Sequence, residues 1–196
     1  MENKKYSTNL TGAGFLFYEI KLVSKLLNEG LEEKDVRAKI VEENLFQYRK
    51  VSSVKRVLPT LFRRANLLGK ELRNMLIGED SSIGRLINLY GIMEEDLLFK
   101  EFMLEVIKEK YNRNNLFIEL KDINSFFDQK GEENEDFVKY KEGTKNKLRQ
   151  VFLKILVEAG ILKDQNSGKL NRIFLDPYLV EILKENKGQY FIDIFK

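Results

Sequence analysis

Two segments of the chain combine a helical apolar stripe with an outer face rich in lysine and arginine. Residues 49–73 carry one acid, Glu71, beside the basic residues Arg49, Lys50, Lys55, Arg56, Arg63, Arg64, Lys70 and Arg73. Residues 139–154 carry one acid, Glu142, beside Lys139, Lys141, Lys145, Lys147, Arg149 and Lys154. Positive charge gathered in this way is an electrostatic footprint for a polyanion. The pattern therefore predicts binding of nucleic acid.

Composition removes most catalytic alternatives. The 196 residues include no cysteine and no histidine, so disulfides, thiolate nucleophiles, zinc fingers and histidine-based triads are excluded. The net charge is only +3, so the segregation of charge along the chain says more than its sum. No apolar run approaches the roughly 18 residues that span a bilayer, and no signal-peptide pattern is present. We expect a soluble, cytoplasmic protein with no cofactor and no metal ion.

The first basic segment is predicted to belong to a helix-turn-helix. An apolar period predicts a helix over residues 32–43, followed by a break at 44–48 and a helix at 52–66 that Ser52 or Ser53 caps. Pro59 predicts a kink or a late start in the second helix. Arg56 and Arg63 fall on its outer face, about 10.5 Å apart along the axis, a spacing that suits two backbone phosphates. The turn is longer than is usual for this motif.

The second basic segment is predicted to form a winged helix-turn-helix. A helix at 144–159 has an unbroken inner stripe of Leu148, Val151, Phe152, Ile155 and Leu156, and Thr144 is a candidate cap. A short helix at 120–129 and a charged loop at 131–136 precede it. Two extended runs around a polar turn at 164–168 predict a β-hairpin, on which Lys163, Lys169 and Arg172 would form the wing.

The rest of the chain also reads as helical, with further helices at 14–28, 70–77, 81–91 and 94–111 and from Pro177 onward. The predicted fold is therefore all-α and compact, with two helix-turn-helix elements. The polar connector 112–115 is a plausible boundary between an N-terminal subdomain, 1–111, and a C-terminal winged subdomain, 112–196. Two acidic clusters, at 94–96 and 132–136, fit no metal-binding spacing and are interpreted as solvated charge.

Several strings along the chain resemble the BrxA family, the small helical components of bacteriophage-exclusion (BREX) defence systems. They are residues 10–19 (LTGAGFLFYE), 43–48 (ENLFQY), 87–93 (INLYGIM), 122–127 (DINSFF) and 158–160 (EAG). The first string is the most distinctive, and the resemblance extends over nearly the whole chain, with the strings in the right order. The resemblance implies an all-α protein with two helix-turn-helix elements beside a positive surface for double-stranded DNA, acting with other BREX proteins. A comparison of the family with the antitermination protein NusB implies RNA as an alternative ligand.

Residues and resemblance together predict a non-enzymatic protein that binds double-stranded DNA mainly through its phosphates. The expected DNA contacts are Arg49, Lys50, Lys55, Arg56, Arg63, Arg64, Lys145, Lys147, Arg149, Lys163, Lys169 and Arg172. Two alternatives stay open: binding of RNA, and a scaffold whose basic faces meet acidic partners in the defence complex. Solvated helix faces without a ligand would show the same charge pattern, since amphipathic helices carry Lys and Arg outside in any case.

Overall fold

A computed structural model describes residues 5–78 and 80–196, which fold into helices. Two compact units are present. One is Phe15–Glu95, and the other joins Asp96–Lys196 to the segment that ends at Gly14. The predicted boundary after residue 111 falls inside the second unit. None of the helices in the described ranges is long and apolar enough to cross a membrane.

The unit Phe15–Glu95 is built from four helices: α1 (Phe17–Asn28), α2 (Glu33–Glu42), α3 (Val51–Gly78) and α4 (Ser81–Glu95). The apolar faces of α1 and α4 pack on α3, and the predicted stripe of α3 is buried throughout. Gly30 follows α1 with φ +92°, so it ends that helix in the left-handed conformation that glycine adopts without strain.

Helix α3 differs from the prediction in where it bends. The predicted helices 52–66 and 70–77 are two helical segments of α3 that meet at a kink, which lies at Gly69 (φ 68°, ψ 176°) and not at Pro59. Pro59 and Lys55 both lie on the exposed face. Proline has no N–H to donate to the Lys55 carbonyl four residues earlier. Because both residues are on the exposed face, water can take the place of that donor, and the helix continues. Because α3 begins at Val51, neither Ser52 nor Ser53 is its cap.

The second unit begins with a continuous helical segment: α5 (Leu97–Phe102), a π-helical turn (Met103–Ile107) and α6 (Lys108–Asn112). The side chain of Asp96 accepts a hydrogen bond from the Phe99 amide at 2.9 Å, so the segment begins there and not at residue 94. Helices α7 (Leu120–Glu133), α8 (Glu135–Val138), α9 (Glu142–Glu158), α10 (Pro177–Glu185) and α11 (Gln189–Ile192) follow. The predicted charged loop 131–136 is thus mostly helical.

Edge-on phenylalanine contacts hold the core of this unit. The ring of Phe152 lies 4.9 Å from that of Phe99 and 5.6 Å from that of Phe127, measured between centroids. All three side chains are buried. Phe152 belongs to the stripe predicted for the helix at 144–159, so this packing turns the opposite, basic face of α9 outward.

The predicted β-hairpin wing is wrong. The described residues contain no β-strand, and segment 161–171 forms only isolated antiparallel bridges, Leu162 with Leu170 and Phe117 with Lys169. The polar turn at 164–168 exists, but the runs before and after it pair with each other through a single bridge. Thr144 is not a cap either, because α9 begins at Glu142.

Candidate nucleic-acid interface

The outer face of α3 and the turn before it carry the first group of cations. Arg49, Lys50, Lys55 and Arg56 are exposed, and none of them forms an ion pair with the residues that the structure describes. Their position follows from the apolar stripe, because burying Val54, Val57, Leu58 and Leu61 leaves 55 and 56 outside. Charge that no carboxylate neutralises is available to a polyanion. We call these four residues the α3 basic face.

A fixed turn positions the first two of these residues. Asn44 adopts φ 46°, and its side chain both accepts from the Tyr48 amide and donates to the Tyr48 carbonyl at 3.2 Å. The Tyr48 hydroxyl donates to Glu19 at 2.6 Å. Burial and this hydrogen bond raise the pKa of Tyr48. Tyr48 is therefore an anchor of the turn and is not free to stack on a base.

Arg64 does not belong to the interface, which corrects the sequence prediction. Its side chain has no exposed surface. It donates to the carbonyl of Phe15 at 3.0 Å, to Asn88 Oδ1 at 3.2 Å and to Glu95 Oε2 at 3.2 Å. Glu95 is only 4% exposed, so the two charges compensate each other inside the unit. A guanidinium held in this way cannot reach a phosphate.

The Arg63 side chain lies partly in solvent and partly against the carboxylate of Glu95. Its side chain is 50% exposed, and its Nε lies 3.0 Å from the other carboxylate oxygen of Glu95. The carboxylate is nearly buried and also holds Arg64, so it cannot turn away to release Arg63. Glu95 therefore compensates part of the Arg63 charge, and Arg63 is expected to contribute less to the binding of an anionic ligand than Lys55 or Arg56.

Helix α9 presents the second group, and only part of it is free. Lys147 is exposed and has no ion-pair partner within the described ranges. Arg149 instead folds back: its Nη1 donates to Glu142 and Asn146 at 2.7 Å, and its guanidinium lies 4.9 Å from the ring centre of Phe127. The Arg149 side chain is 16% exposed. Of these two predicted contacts, Lys147 is the accessible one.

The ammonium group of Lys145 lies over the ring of Phe137, 5.2 Å from its centre, and the residue is half-buried. Tyr140 packs against the same ring and donates its hydroxyl to the carbonyl of Tyr6 at 2.8 Å. Both side chains thus support the start of α9, and Tyr140 is not available as a stacking surface.

The turn between α9 and α10 carries the third group. Lys163, Lys169 and Arg172 are all exposed, as predicted for wing residues, although no hairpin supports them. Arg172 donates to Asn114 Oδ1 at 2.9 Å. Sequence reasoning missed Phe117, which forms a bridge with Lys169 and is 53% exposed. The apolar run Leu116-Phe117-Ile118 is typical of a buried segment. Only the polar residues on both sides of it indicate that the Phe117 ring is exposed.

The exposed groups at these faces are mostly cationic. Within the described residues, no group of three or more acidic side chains is placed to hold a metal ion. The exposed cations of the α3 basic face, and Lys147 on α9, suit phosphate oxygens. The arrangement therefore fits recognition of a polyanion by charge.

Comparisons with known proteins place the chain. The family model described as BrxA matches residues 4–187. A protein of Bacillus cereus (strain H3081.97) named "BREX protein BrxA" is 34% identical over 195 residues, covering 99% of this chain and 98% of the relative. A protein of Paramagnetospirillum magneticum (strain ATCC 700264 / AMB-1) with the same name is 23% identical over 192 residues, covering 98% and 96%. The crystal structure of an uncharacterized protein from Magnetospirillum magneticum has a TM-score of 0.82 at 22% identity, covers 98% of this chain and 99% of its own, and supports the fold.

Proposed function

Because the chain belongs to the BrxA family, we propose that it is a non-enzymatic component of a BREX phage-defence system that binds double-stranded DNA. It would act in the cytoplasm, beside other BREX proteins. The observation that carries DNA binding is the α3 basic face. Its four cations are exposed, and none of them forms an ion pair with a carboxylate of the described residues.

The ligand is proposed to be read mainly through its phosphates. The proposed contacts are lysine and arginine side chains. Their contacts with phosphates fix the position of a protein on a duplex without reading the bases. We place Arg49, Lys50, Lys55 and Arg56 on the backbone from one unit, with Arg63 as a weaker contact. From the other unit we place Lys147, Lys163, Lys169 and Arg172, with Lys145 and Arg149 as weaker contacts because their charges are already engaged.

Salt dependence tests this mechanism. Each phosphate that the protein neutralises contributes about −0.9 to the slope of log affinity against log salt. If the four residues of the α3 basic face each meet one phosphate, they contribute about −3.6. Fluorescence anisotropy with a labelled duplex, titrated between about 50 and about 200 mM salt, measures the slope. An affinity that does not change with salt, or no binding at all, would overturn the proposal.

Matched charge reversals assign the contacts to residues. Lys55→Glu/Arg56→Glu is expected to weaken duplex binding and to lower the slope by about 1.8, or two phosphates. The control Lys25→Glu/Lys34→Glu changes the charge of the same unit equally at exposed positions on α1 and α2. It should leave the slope nearly unchanged. If the two double variants weaken binding equally, net charge and not the α3 basic face is responsible.

A second pair tests the other unit. Lys147→Glu is compared with Lys184→Glu, an exposed lysine of α10 outside the predicted contacts. Only the first is expected to weaken binding.

Duplex RNA bound more tightly than duplex DNA would support the RNA alternative. BREX proteins captured equally with and without nuclease, in the absence of DNA binding, would support the scaffold.

A further inference from the structure

An aromatic ring and two lysines meet on the exposed side of the turn between α9 and α10. Phe117 is 53% exposed and forms an antiparallel bridge with Lys169. The bridge is closed by hydrogen bonds from the Ile118 amide to the Gly168 carbonyl at 2.8 Å and from the Leu170 amide to the Leu116 carbonyl at 2.9 Å. These bonds flank the pair, so Phe117 and Lys169 stand directly opposite each other. In such a pair the two side chains emerge on the same face and approach closely.

Lys163 lies next in the same row. Its amide donates to the Lys169 carbonyl at 2.9 Å, and the adjacent bridge pairs Leu162 with Leu170. Both leucines are buried. Because side chains alternate along extended backbone, Lys163 and Lys169 point outward where Leu162 and Leu170 point inward. Phe117, Lys169 and Lys163 thus occupy three neighbouring positions on one exposed face, which we call the 117–163–169 platform.

The turn that supplies the two lysines is held rigidly. Asp164 Oδ1 accepts hydrogen bonds from the amides of Asn166 and Ser167 at 3.0 and 2.7 Å. Gly168 has φ +63°, and a Cβ there would collide with the carbonyl oxygen of Ile118. Glycine therefore permits the close approach on which the bridge depends. A platform fixed before binding loses little entropy when it meets a ligand.

No group in the described chain already uses the platform. Neither lysine forms a salt bridge, and Phe117 makes no contact with another described aromatic ring. The neighbouring carboxylates have other partners: Asp164 accepts hydrogen bonds from the turn amides and only attracts Lys163 without an ion pair, and Glu119 pairs with Lys121 at 2.8 Å. A free ring face beside two free ammonium groups matches what proteins offer to unpaired nucleotides. The base stacks on the aromatic ring and lysines hold the phosphates.

We propose that the 117–163–169 platform binds an unpaired nucleotide, with the base stacked on Phe117 and the flanking phosphates held by Lys163 and Lys169. This rests on the proposed binding of nucleic acid and deepens it. In a fully paired duplex each base face is covered by its neighbours, so Phe117 gains a stacking partner only where a base is exposed. The protein should therefore prefer DNA that contains a gap or bulge to the same DNA fully paired.

The test compares one labelled duplex with the same duplex carrying a short single-stranded gap, in anisotropy titrations at equal salt. Stacking on an aromatic side chain contributes at least about 1 kcal/mol per base, or about fivefold in affinity. The wild type is expected to bind the gapped DNA at least fivefold more tightly. A 2-aminopurine placed in the gap reports the stack directly, because its fluorescence is quenched when a ring covers it.

Four variants assign the effect. Phe117→Ala and Phe117→Leu should abolish the preference and the quenching while leaving the affinity for paired duplex unchanged. Phe117→Leu keeps apolar bulk, so it guards against a folding defect in Phe117→Ala. Phe117→Tyr retains a ring and should restore both signals. The control is Phe174→Ala, which removes an 86% exposed ring outside the platform and should behave as wild type.

The outcomes separate the two proposals. Equal affinity of the wild type for gapped and paired DNA would overturn the platform and leave duplex binding intact. A preference that survives in both Phe117→Leu and Phe117→Ala would also overturn it. Failure to bind either DNA would overturn the proposed function itself.

Discussion

Glu95 is expected to be the most stability-critical charged residue of the unit Phe15–Glu95. It accepts hydrogen bonds from both Arg63 and Arg64, at 3.0 and 3.2 Å, and is only 4% exposed. Glu95→Gln keeps the size of the side chain and removes its charge. Arg64 cannot lose its proton in response, because a guanidinium stays charged in proteins. The variant therefore removes the Glu95 carboxylate charge from beside a fully buried guanidinium.

The cost follows from the burial of each partner. Breaking a buried ion pair on one side lowers the free energy of unfolding by about 3–5 kcal/mol. We expect the lower end, about 3 kcal/mol, since the glutamine oxygen still accepts one hydrogen bond. Arg63→Gln should cost less than about 1 kcal/mol, because that side chain is half in water. Arg64→Met removes the buried charge itself and deprives Asn88 of a donor, which costs about 1–3 kcal/mol.

Urea denaturation followed by far-ultraviolet circular dichroism measures these losses in a chain without tryptophan. The expected order of destabilisation is Glu95→Gln, then Arg64→Met, then Arg63→Gln. The double variant Glu95→Gln/Arg64→Met should be more stable than the sum of its single losses predicts, by about 0.5–3 kcal/mol, because the buried cation is removed together with the carboxylate charge that compensates it. Equal small losses for Glu95→Gln and Arg63→Gln, or strictly additive losses in the double variant, would refute the reasoning.

Further predictions concern the rest of the molecule. Gly168→Ala should lower the free energy of unfolding by more than about 1 kcal/mol, because its positive φ and the facing carbonyl both oppose a Cβ. Gly131→Ala, in open space within α7, should raise that free energy by up to about 1 kcal/mol, and thermal denaturation compares the two. Lys130→Met should cost about 1–3 kcal/mol in urea denaturation, because the side chain is 6% exposed and its ammonium group lies within 3.1 Å of three glutamates; no loss would contradict this. Hydrogen bonds from Gln129 and Lys130 lower the pKa of Glu133 below 4.5, so its contribution is present at neutral pH and is lost as the pH falls through that lowered value. Lys130→Met should therefore lose less stability than wild type as the pH falls from neutral through that lowered pKa, and an equal loss would count against the cluster.

Apolar periodicity predicted the helices well because packing, and not local propensity, determines them. The stripe that contains Leu148, Phe152 and Ile155 is buried in α9. Boundaries were less certain, since they depend on single capping interactions. Asp96 caps α5 and so ends the preceding helix, which a continuous apolar pattern across 94–111 does not reveal.

Rules for single residues failed where the surroundings decide. Pro59 predicted a kink, but its position on the exposed face lets the helix continue, whereas Gly69 takes the kink through a positive φ. The hairpin prediction failed for a related reason. The runs on either side of the turn at 164–168 have the right residues, yet they pair with each other through one bridge only, Leu162 with Leu170. Strand length depends on pairing partners that the sequence of one run does not specify.

Charge alone could not separate the two adjacent arginines of α3, although apolar spacing could have done so. Positions 57, 61, 64 and 68 share one face of a helix, so Arg64 lies in the buried stripe and Arg63 one step outside it. A cation at a stripe position requires an internal carboxylate, which Glu95 supplies from 31 residues away. The general consequence concerns how basic helices are interpreted. Cations outside the apolar stripe, such as Lys55 and Arg56, are candidates for binding a ligand. Cations within the stripe, such as Arg64, are buried and stabilise the fold.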